Sequence, residues 1–285
     1  MGKAAGLAAV LASILCTAPG WAEGARESRI RIAYERPRDA QASEIHRALK
    51  ARRLLEGVRA IVGGVRLPRS LTLRLGACAG EANAWYAPEN RTVTVCYEYI
   101  QDLRQRAPPD APGGARQDAI VGPIVQVFLH ETGHALFDLL AVPLLGREED
   151  AADQFAALVL LQLPPAQARR VIDGSTHLFR SRAADEGIDE EMLADDHGLP
   201  LQRLYNLLCL AYGADRRAFA YLVDGGSLPR MRAQNCEAEY DQAAFAMGRL
   251  FRGHLPGGRM ARAQIRRAFR GLFRDRGTTR DAVSE

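Results

Sequence analysis

Several residue patterns are scarce or absent in this 285-residue sequence, and each absence excludes a class of protein. The formal net charge is only +4, and no zinc finger, RNA-binding motif or phosphate-binding glycine loop is present. We therefore expect no nucleic-acid partner. No closely spaced CxxC pair occurs either, which disfavours a zinc site built from cysteines. Histidine is also rare, with six in the whole chain, so any close pair of histidines is informative.

What the sequence does contain is typical of a globular protein that carries an export signal. Hydrophobic residues make up 47% and charged residues 25%, enough for one large domain or two small lobes. Residues 1–22 predict a signal peptide, because Lys3 precedes the apolar run 4–15 and small residues flank Trp21. That run is too short for a comfortable membrane span. We expect cleavage near Ala22 and a secreted or periplasmic protein; an uncleaved anchor or a disordered tail is the alternative.

The cysteines favour disulfide bonds. Cys16 would be lost with the signal peptide, which leaves four cysteines in the mature chain. An even number in an exported protein indicates disulfides, and four cysteines permit three pairings. We favour Cys78–Cys96 and Cys209–Cys236, because each pair brackets a single local unit. On the chain-entropy estimate, closing loops of this size stabilises the fold by about 3 kcal/mol each.

The hydrophobic pattern divides the chain into a strand-containing front and a helical remainder. Alternating and β-branched residues predict strands at 29–34, 71–75 and 92–96. Helical spacing predicts one helix over 42–62, which ends at Gly63-Gly64. Beyond a loop rich in proline and glycine, the spacing predicts helices at 118–140, 148–162, 165–172, 201–212 and 237–252.

We expect a single domain over 23–258, followed by a basic tail over 259–285 that is helical or partly disordered. Apolar residues in the tail recur at helical spacing. Such a segment can lie on a membrane surface. A helix packed on its own domain, with its arginines in solvent, is the favoured interpretation.

The segment His130-Glu131-Thr132-Gly133-His134 carries the chemistry. On a helix, residues four apart share a face, so His130 and His134 can both direct imidazole nitrogens at one ion. Glu131 lies beside them and can reach a water at that ion without binding the ion itself. This is the HExxH pattern of zinc peptidases. The plainer interpretation is a pair of core histidines whose hydrogen bonds are satisfied.

A catalytic zinc usually has three protein ligands, so a third is expected downstream. The metzincin pattern would need glycine and histidine where Phe137 and Leu140 stand, and that class is excluded. Glu149 and Asp153 lie four residues apart, on one face of the next predicted helix. Glu149 is the favoured ligand, with Glu148 or Asp153 as alternatives. Acidic residues at a helix start can also simply complement the helix dipole.

These motifs resemble the gluzincins, in which a glutamate on a second helix completes the zinc site. The ExxAD run from Glu149 to Asp153 looks like that of the membrane-linked CAAX-protease-type gluzincins. The segment 83–86, Asn-Ala-Trp-Tyr, is similar to the edge-strand motif of thermolysin-like enzymes. Together with Cys96-Tyr97-Glu98 and the run 146–153, the set is similar to a bacterial domain-of-unknown-function family of inferred zinc metallopeptidases. The resemblance extends from about residue 70 to residue 250.

The resemblance implies an α+β, zincin-like fold: a small twisted sheet, an active-site helix, a second helix bearing the glutamate, and a mainly helical C-terminal part. It implies that His130, His134 and Glu149 bind one Zn²⁺ per chain and that Glu131 is the general base. Asp153 would orient a ligand histidine, with Asp138 as a further candidate for that role.

Two further sets of residues are candidates for handling the substrate. A thermolysin-like site needs a second hydrogen-bond donor for the oxyanion, besides the metal. His197 is the favoured donor, because Asp195 and Asp196 precede it and could orient its ring. Tyr205 and Arg203 are the alternatives. Asn83 and Ala84 are expected to bind the substrate main chain as an edge strand, unless they form a plain hairpin.

The sequence therefore predicts an exported zinc metallopeptidase that acts on peptides or proteins. Two other functions stay open at this point. One is a non-catalytic exported zinc-binding protein, and the other is a metal-dependent amidase acting on cell-wall peptides. The oligomeric state is left open.

Overall fold

The computed structural model describes residues 29–111, 114–185 and 187–254. The predicted signal peptide over 1–22, its cleavage near Ala22, and the predicted tail over 259–285 lie outside the described residues. Within them, the fold is α+β, as predicted: a four-stranded sheet is followed by a mainly helical C-terminal part.

The sheet has one antiparallel edge. Its strands are β1 (Ile30–Tyr34), β2 (Leu71–Gly76), β3 (Ala84–Ala87) and β4 (Thr92–Cys96), in the order β1-β2-β4-β3. β1, β2 and β4 run parallel, whereas β3 pairs antiparallel with β4. The alternating leucines of β2 and the valines of β4 are fully buried, so the helices cover this sheet on its apolar side.

Eleven helices are formed by the described residues: α1 (Ala40–Ala51), α2 (Leu54–Val62), α3 (Tyr97–Arg106), α4 (Ala115–Leu140), α5 (Glu148–Leu160), α6 (Pro165–Asp185), α7 (Glu190–Ala194), α8 (Pro200–Ala214), α9 (Ala220–Asp224), α10 (Arg230–Ala233) and α11 (Cys236–Leu250). α4 lies at the centre of the fold, against α5, α6, β3 and β4. Most of its residues are buried, including His130 and Glu131 of the HExxH pattern, whereas His134 is partly exposed.

Three parts of the predicted helix pattern were wrong. The single helix expected over 42–62 is two helices, α1 and α2, because Arg53 takes a left-handed backbone conformation with φ 56°. α3 follows β4 without a turn and was not predicted. α6 extends to Asp185, although the sequence placed its end near 172.

The length of α6 has a packing cause. Gly174 lies within α6 at a close approach to α4. A Cβ atom there would be 2.0 Å from the backbone oxygen of Asp118. The glycine is therefore required by contact between two helices and not by a turn.

Two disulfide bonds link elements of the fold. Cys78 is bonded to Cys96, which joins the segment after β2 to the end of β4. Cys209 is bonded to Cys236, which joins α8 to α11. These are the two pairs favoured from the sequence, and they indicate an oxidising environment. Among the described residues, no helix combines the length and apolar character needed to cross a membrane.

Candidate metal centre

The site forms where α4 and α5 approach each other closely. Gly133, inside the HExxH segment, faces α5, and a Cβ atom on it would lie 3.2 Å from the Phe155 ring and 3.3 Å from the Ala152 Cα. A Cβ atom there would require these neighbours on α5 to shift by a few tenths of an ångström. The absence of a side chain at Gly133 therefore lets the start of α5 bring Glu149 to the two histidines.

Three side chains converge on one point. His130 Nε2 lies 2.9 Å from Glu149 Oε2, and His134 Nε2 lies 3.3 Å from Glu149 Oε1. The two Nε2 atoms are 3.2 Å apart. Tetrahedral ligands at about 2.0–2.2 Å from one ion lie about 3.4 Å from each other, so this spacing fits a single bound metal.

The other ring nitrogens face carboxylates. His130 Nδ1 lies 2.9 Å from Asp153 Oδ1, and His134 Nδ1 lies 2.8 Å from Glu148 Oε1. A carboxylate only accepts hydrogen bonds, so both Nδ1 atoms carry protons and donate. In neutral imidazoles the lone pairs are then on Nε2, where they face each other and Glu149. Such a cluster of electron-rich atoms is stabilised by positive charge, which a proton or a metal ion can supply.

The electrostatics of the site also favour a cation. Burial lowers the pKa of His134, but hydrogen bonds to Glu149 and Glu148 outweigh burial and raise that pKa to about 9. Burial likewise opposes the charged form of His130, yet Asp153 and Glu149 raise its pKa. Burial would raise the pKa of Glu149, but hydrogen bonds from three histidines hold it well below its usual range. The carboxylates thus attract either protons or a metal ion to the imidazoles.

Asp153 connects the centre to α8. Arg203 donates two hydrogen bonds to it, from Nε at 2.7 Å and from Nη2 at 2.8 Å. Burial raises the pKa of Asp153, but its bonds to His130 and Arg203 outweigh burial and lower that pKa. The guanidinium also lies over the Phe179 ring, at 5.4 Å from the ring centroid. Asp153 is thereby fixed in an orientation that positions the His130 ring.

Glu131 lies on the cavity side of the centre. Its side chain is buried and lines a cavity of about 310 Å³ together with His130 and His197. Burial raises the pKa of Glu131, and the positive charge of the neighbouring histidines opposes that rise. Within the described residues, no hydrogen bond holds its carboxylate, which leaves it available to a substrate or to water.

His197 reaches the same centre from the loop between α7 and α8. Its Nε2 lies 2.8 Å from Glu149 Oε2, while Nδ1 lies 3.0 Å from both Asp195 and Asp196. The hydrogen bond to Glu149 is the main reason that the pKa of His197 is raised. The side chain is 42% exposed, far more than the 3% of His130. His197 is thus a cationic donor at the open side of the site.

Comparison with known protein families assigns the chain. The family described as "Putative metallopeptidase" (DUF4344) matches residues 34–250, which include the whole of the centre just described. The chain belongs to this metallopeptidase family. No curated protein and no solved structure matched the chain.

Membership of a metallopeptidase family implies a metal ion and peptide substrates. Among the described residues, two groups of side chains could hold an ion at this centre. One consists of His130, His134 and Glu149, and the other of Glu149, Asp196 and His197. A third group contains Cys78 and Cys96, but the disulfide between them removes both thiolates.

The remaining predicted residues differ in how close they lie to this centre. Asn83 and Ala84 line the cavity, beside the edge strand β3. Asp138 accepts a hydrogen bond of 2.6 Å from Tyr86, which ties β3 to α4; the described residues show no bond from Asp138 to a histidine. Tyr205 is packed against the core and is not among the residues that line the cavity.

Three cavity residues escaped sequence reasoning: Tyr99 on α3, Gln126 on α4 and Arg182 on α6. Gln126 carried a usable signal, because it lies four residues before His130 and so shares its helix face. Tyr99 and Arg182 belong to helical segments that were not predicted. Nothing in their spacing pointed to the cavity.

Proposed function

We propose that this metallopeptidase is a zinc-dependent peptidase of the gluzincin type, which binds one Zn²⁺ through His130, His134 and Glu149. The observation that supports it best is the convergence of these three side chains beside Glu131, at the wall of a cavity. The two imidazole nitrogens and one carboxylate oxygen are the ligand types of catalytic zinc sites. When bound there, the ion would polarise a scissile carbonyl and lower the pKa of a water towards about 7.

Glu131 is proposed as the general base. It lines the cavity next to His130 without a hydrogen-bond partner among the described residues, so it can accept a proton from the attacking water. It then delivers that proton to the departing amine. Its burial keeps bulk water away from this proton transfer.

His197 is proposed to stabilise the oxyanion that develops on the scissile carbonyl. The carboxylates of Asp195 and Asp196 at Nδ1 favour the charged ring, whose Nε2 then donates into the site. Arg203, the alternative donor, is more buried and gives two hydrogen bonds to Asp153, whereas the more exposed His197 contacts Glu149 through Nε2 alone. We therefore propose that Arg203 positions Asp153, and through it His130, and does not bind the oxyanion.

The substrate main chain is proposed to bind along β3. This strand is at the edge of the sheet, paired on one side with β4. The other side can hydrogen-bond an extended peptide by β-augmentation, which places its scissile bond beside the cavity. Asn83 and Ala84 line the cavity at the beginning of this edge.

The place of action is proposed to be outside the cytoplasm, after cleavage near Ala22. The two disulfides support this, because such bonds persist in oxidising compartments.

The test combines zinc stoichiometry with turnover. We expect purified wild-type protein to hold one zinc per chain and to cleave members of a panel of peptides and muropeptides. Glu131→Gln should retain the zinc and lose activity by about 100-fold or more, because the base is removed while the ligands remain. A zinc-loaded wild type that cleaves nothing would indicate a binding protein, and cleavage of muropeptides alone would indicate a cell-wall amidase.

A further inference from the structure

The cavity beside Glu131 is also lined by residues that take no part in the candidate metal centre. One part of its wall is formed by Gln126 of α4, Tyr99 of α3, and three residues of α6, namely Leu178, Phe179 and Arg182. Leu178 and Phe179 are buried and apolar, while the other three carry polar groups. This wall therefore has the composition of a ligand pocket, with apolar sides and a few polar groups.

Two of these polar side chains are almost completely buried and have no partner. Tyr99 is 5% exposed and Gln126 is 7% exposed. In the described part of the chain, neither the Tyr99 hydroxyl nor the Gln126 amide forms a hydrogen bond. Both residues line the cavity, so their polar groups are free to pair with a ligand that enters it.

Arg182 adds a positive charge to the same wall. Its guanidinium lies over the Tyr99 ring, 5.8 Å from the ring centroid. In the described residues it has no ion pair, because two carboxylates on this side of the fold, Asp102 and Asp185, bind Arg106 instead. Of the acidic groups that line the cavity, Asp195 is paired with His197, which leaves Glu131 as the unpaired one.

We propose that Arg182, together with Tyr99 and Gln126, binds a carboxylate of the peptide substrate close to the scissile bond. The guanidinium supplies charge and the hydroxyl and amide supply two hydrogen-bond donors, which is the set that a carboxylate accepts. The apolar stem of an acidic side chain would lie against Leu178 and Phe179. The carboxylate can come from a glutamate or aspartate side chain or from the chain terminus. This inference rests on the proposed peptidase function.

The first experiment maps cleavage sites in a library of peptides. Wild-type protein should prefer an acidic side chain at one position near the cut if the side chain is recognised, or cut a fixed distance from free C-termini if the terminus is recognised. Arg182→Gln should lower the ratio of kcat/KM for acidic over neutral peptides by about tenfold or more, since a charge-assisted bond is lost. Arg180→Gln, which changes an exposed arginine of the same helix, is the matched control and should keep the ratio.

The second experiment measures binding without turnover. The probes are N-acetyl-glutamate amide, N-acetyl-glutamine amide and N-acetyl-glutamine with a free terminal carboxylate. At least one acidic probe should bind wild-type protein and Arg180→Gln about tenfold more tightly than the neutral probe, and Arg182→Gln should lose this preference. Tyr99→Phe, which removes only the hydroxyl, should weaken the acidic probe several-fold and leave the neutral one unchanged.

The two experiments separate this inference from the proposed function. Cleavage without acidic preference, or a preference that survives Arg182→Gln, would overturn carboxylate recognition and leave the peptidase intact. If no peptide is cleaved but the acidic probe still binds through Arg182, the peptidase proposal fails and the carboxylate site stands. Equal binding of all three probes would overturn the carboxylate site in either case.

Discussion

The two walls of the cavity differ in how completely their polar groups are satisfied. On the α4–α5 side, both ring nitrogens of His130 and of His134 contact a carboxylate, and Asp153 is itself held by Arg203. Elsewhere in the cavity lining, Tyr99 of α3 and Gln126, one turn before His130 on α4, are buried and form no hydrogen bond with the described residues. The side chains on the α4–α5 side are thus held in place before a metal binds, as a metal site requires. We propose that the second set gains its partners when a ligand binds, which would let the site distinguish between ligands.

The histidines show the same contrast within the centre. His130 lies in the core, between residues of two helices, whereas His197 lies on a loop and is largely open to solvent. We call His130, His134, Glu149 and Asp153 the metal wall, and the remaining cavity lining the substrate wall. If the two have separate roles, variants should separate metal binding from turnover. The predictions below test that separation.

The largest effect is expected for Glu149→Ala. Removing this carboxylate takes away a proposed ligand and leaves two buried histidines without their shared partner. Zinc affinity should fall by more than about 100-fold, because loss of an outer partner alone costs about 10–100-fold. Zinc content after dialysis measures this. Asp150→Ala is the control, since Asp150 lies on the same helix but pairs with Arg147. Undiminished zinc in Glu149→Ala would remove it from the ligand set.

His197→Gln should lower turnover and leave zinc content unchanged. The variant loses the cationic donor at the open side, and kcat should fall by about 100- to 1,000-fold, as for loss of an oxyanion donor. Zinc content should stay at the wild-type level. If zinc is lost together with activity, His197 belongs to the metal wall, as the alternative group with Glu149 and Asp196 would require.

Asp153→Asn should weaken the metal wall without removing a ligand. An amide can still accept a hydrogen bond from His130, but it no longer neutralises the buried Arg203. Zinc affinity should fall by about 10- to 100-fold. Glu148→Gln alters the equivalent contact at His134, but its carboxylate is half-exposed, so the loss there should be smaller. Competition with a chelator, followed for both variants, compares the two. Equal losses would contradict the role assigned to burial.

The smallest effect on the site is expected from the Cys209–Cys236 bond. Replacing both cysteines with serine should lower the free energy of unfolding by about 3 kcal/mol, because the unfolded chain regains a loop of 27 residues. Zinc content and turnover at 25 °C should be unchanged, since this bond joins α8 to α11 away from the cavity. Urea unfolding measures the stability change. A loss of zinc would mean that α11 supports the metal wall.

The sequence predicted elements well where the local pattern and the packing agree. The strand at Thr92–Cys96 was placed at its observed bounds, and the main part of α4 was recognised, because apolar periodicity is strong in both. α6 was predicted to end at 172, whereas it continues through Gly174, a point of helix contact, to Asp185. The break at Arg53 was missed because nothing in the composition of that segment marks a left-handed residue.

In the candidate site, too, the features set by local spacing were predicted and those set by packing between elements were not. Spacing alone put His130 and His134 on one helix face and Glu149 and Asp153 on another, because helical geometry fixes which residues are neighbours over one turn. The contact of Asp138 with Tyr86 and that of Glu148 with His134 follow from how a strand and a second helix pack against α4. Sequence spacing carries no information on such distances.

By itself, then, the sequence determined the HExxH helix face, the second acidic face and the class of chemistry, since each lies within a few turns of one helix. Only the tertiary structure decided that Glu149 meets both histidines, that Arg203 holds Asp153, and which polar groups are left without partners. The physical reason is range. Helical periodicity acts over about four residues, whereas Tyr99, Gln126 and Arg182 come from three helices that meet only when the core is packed.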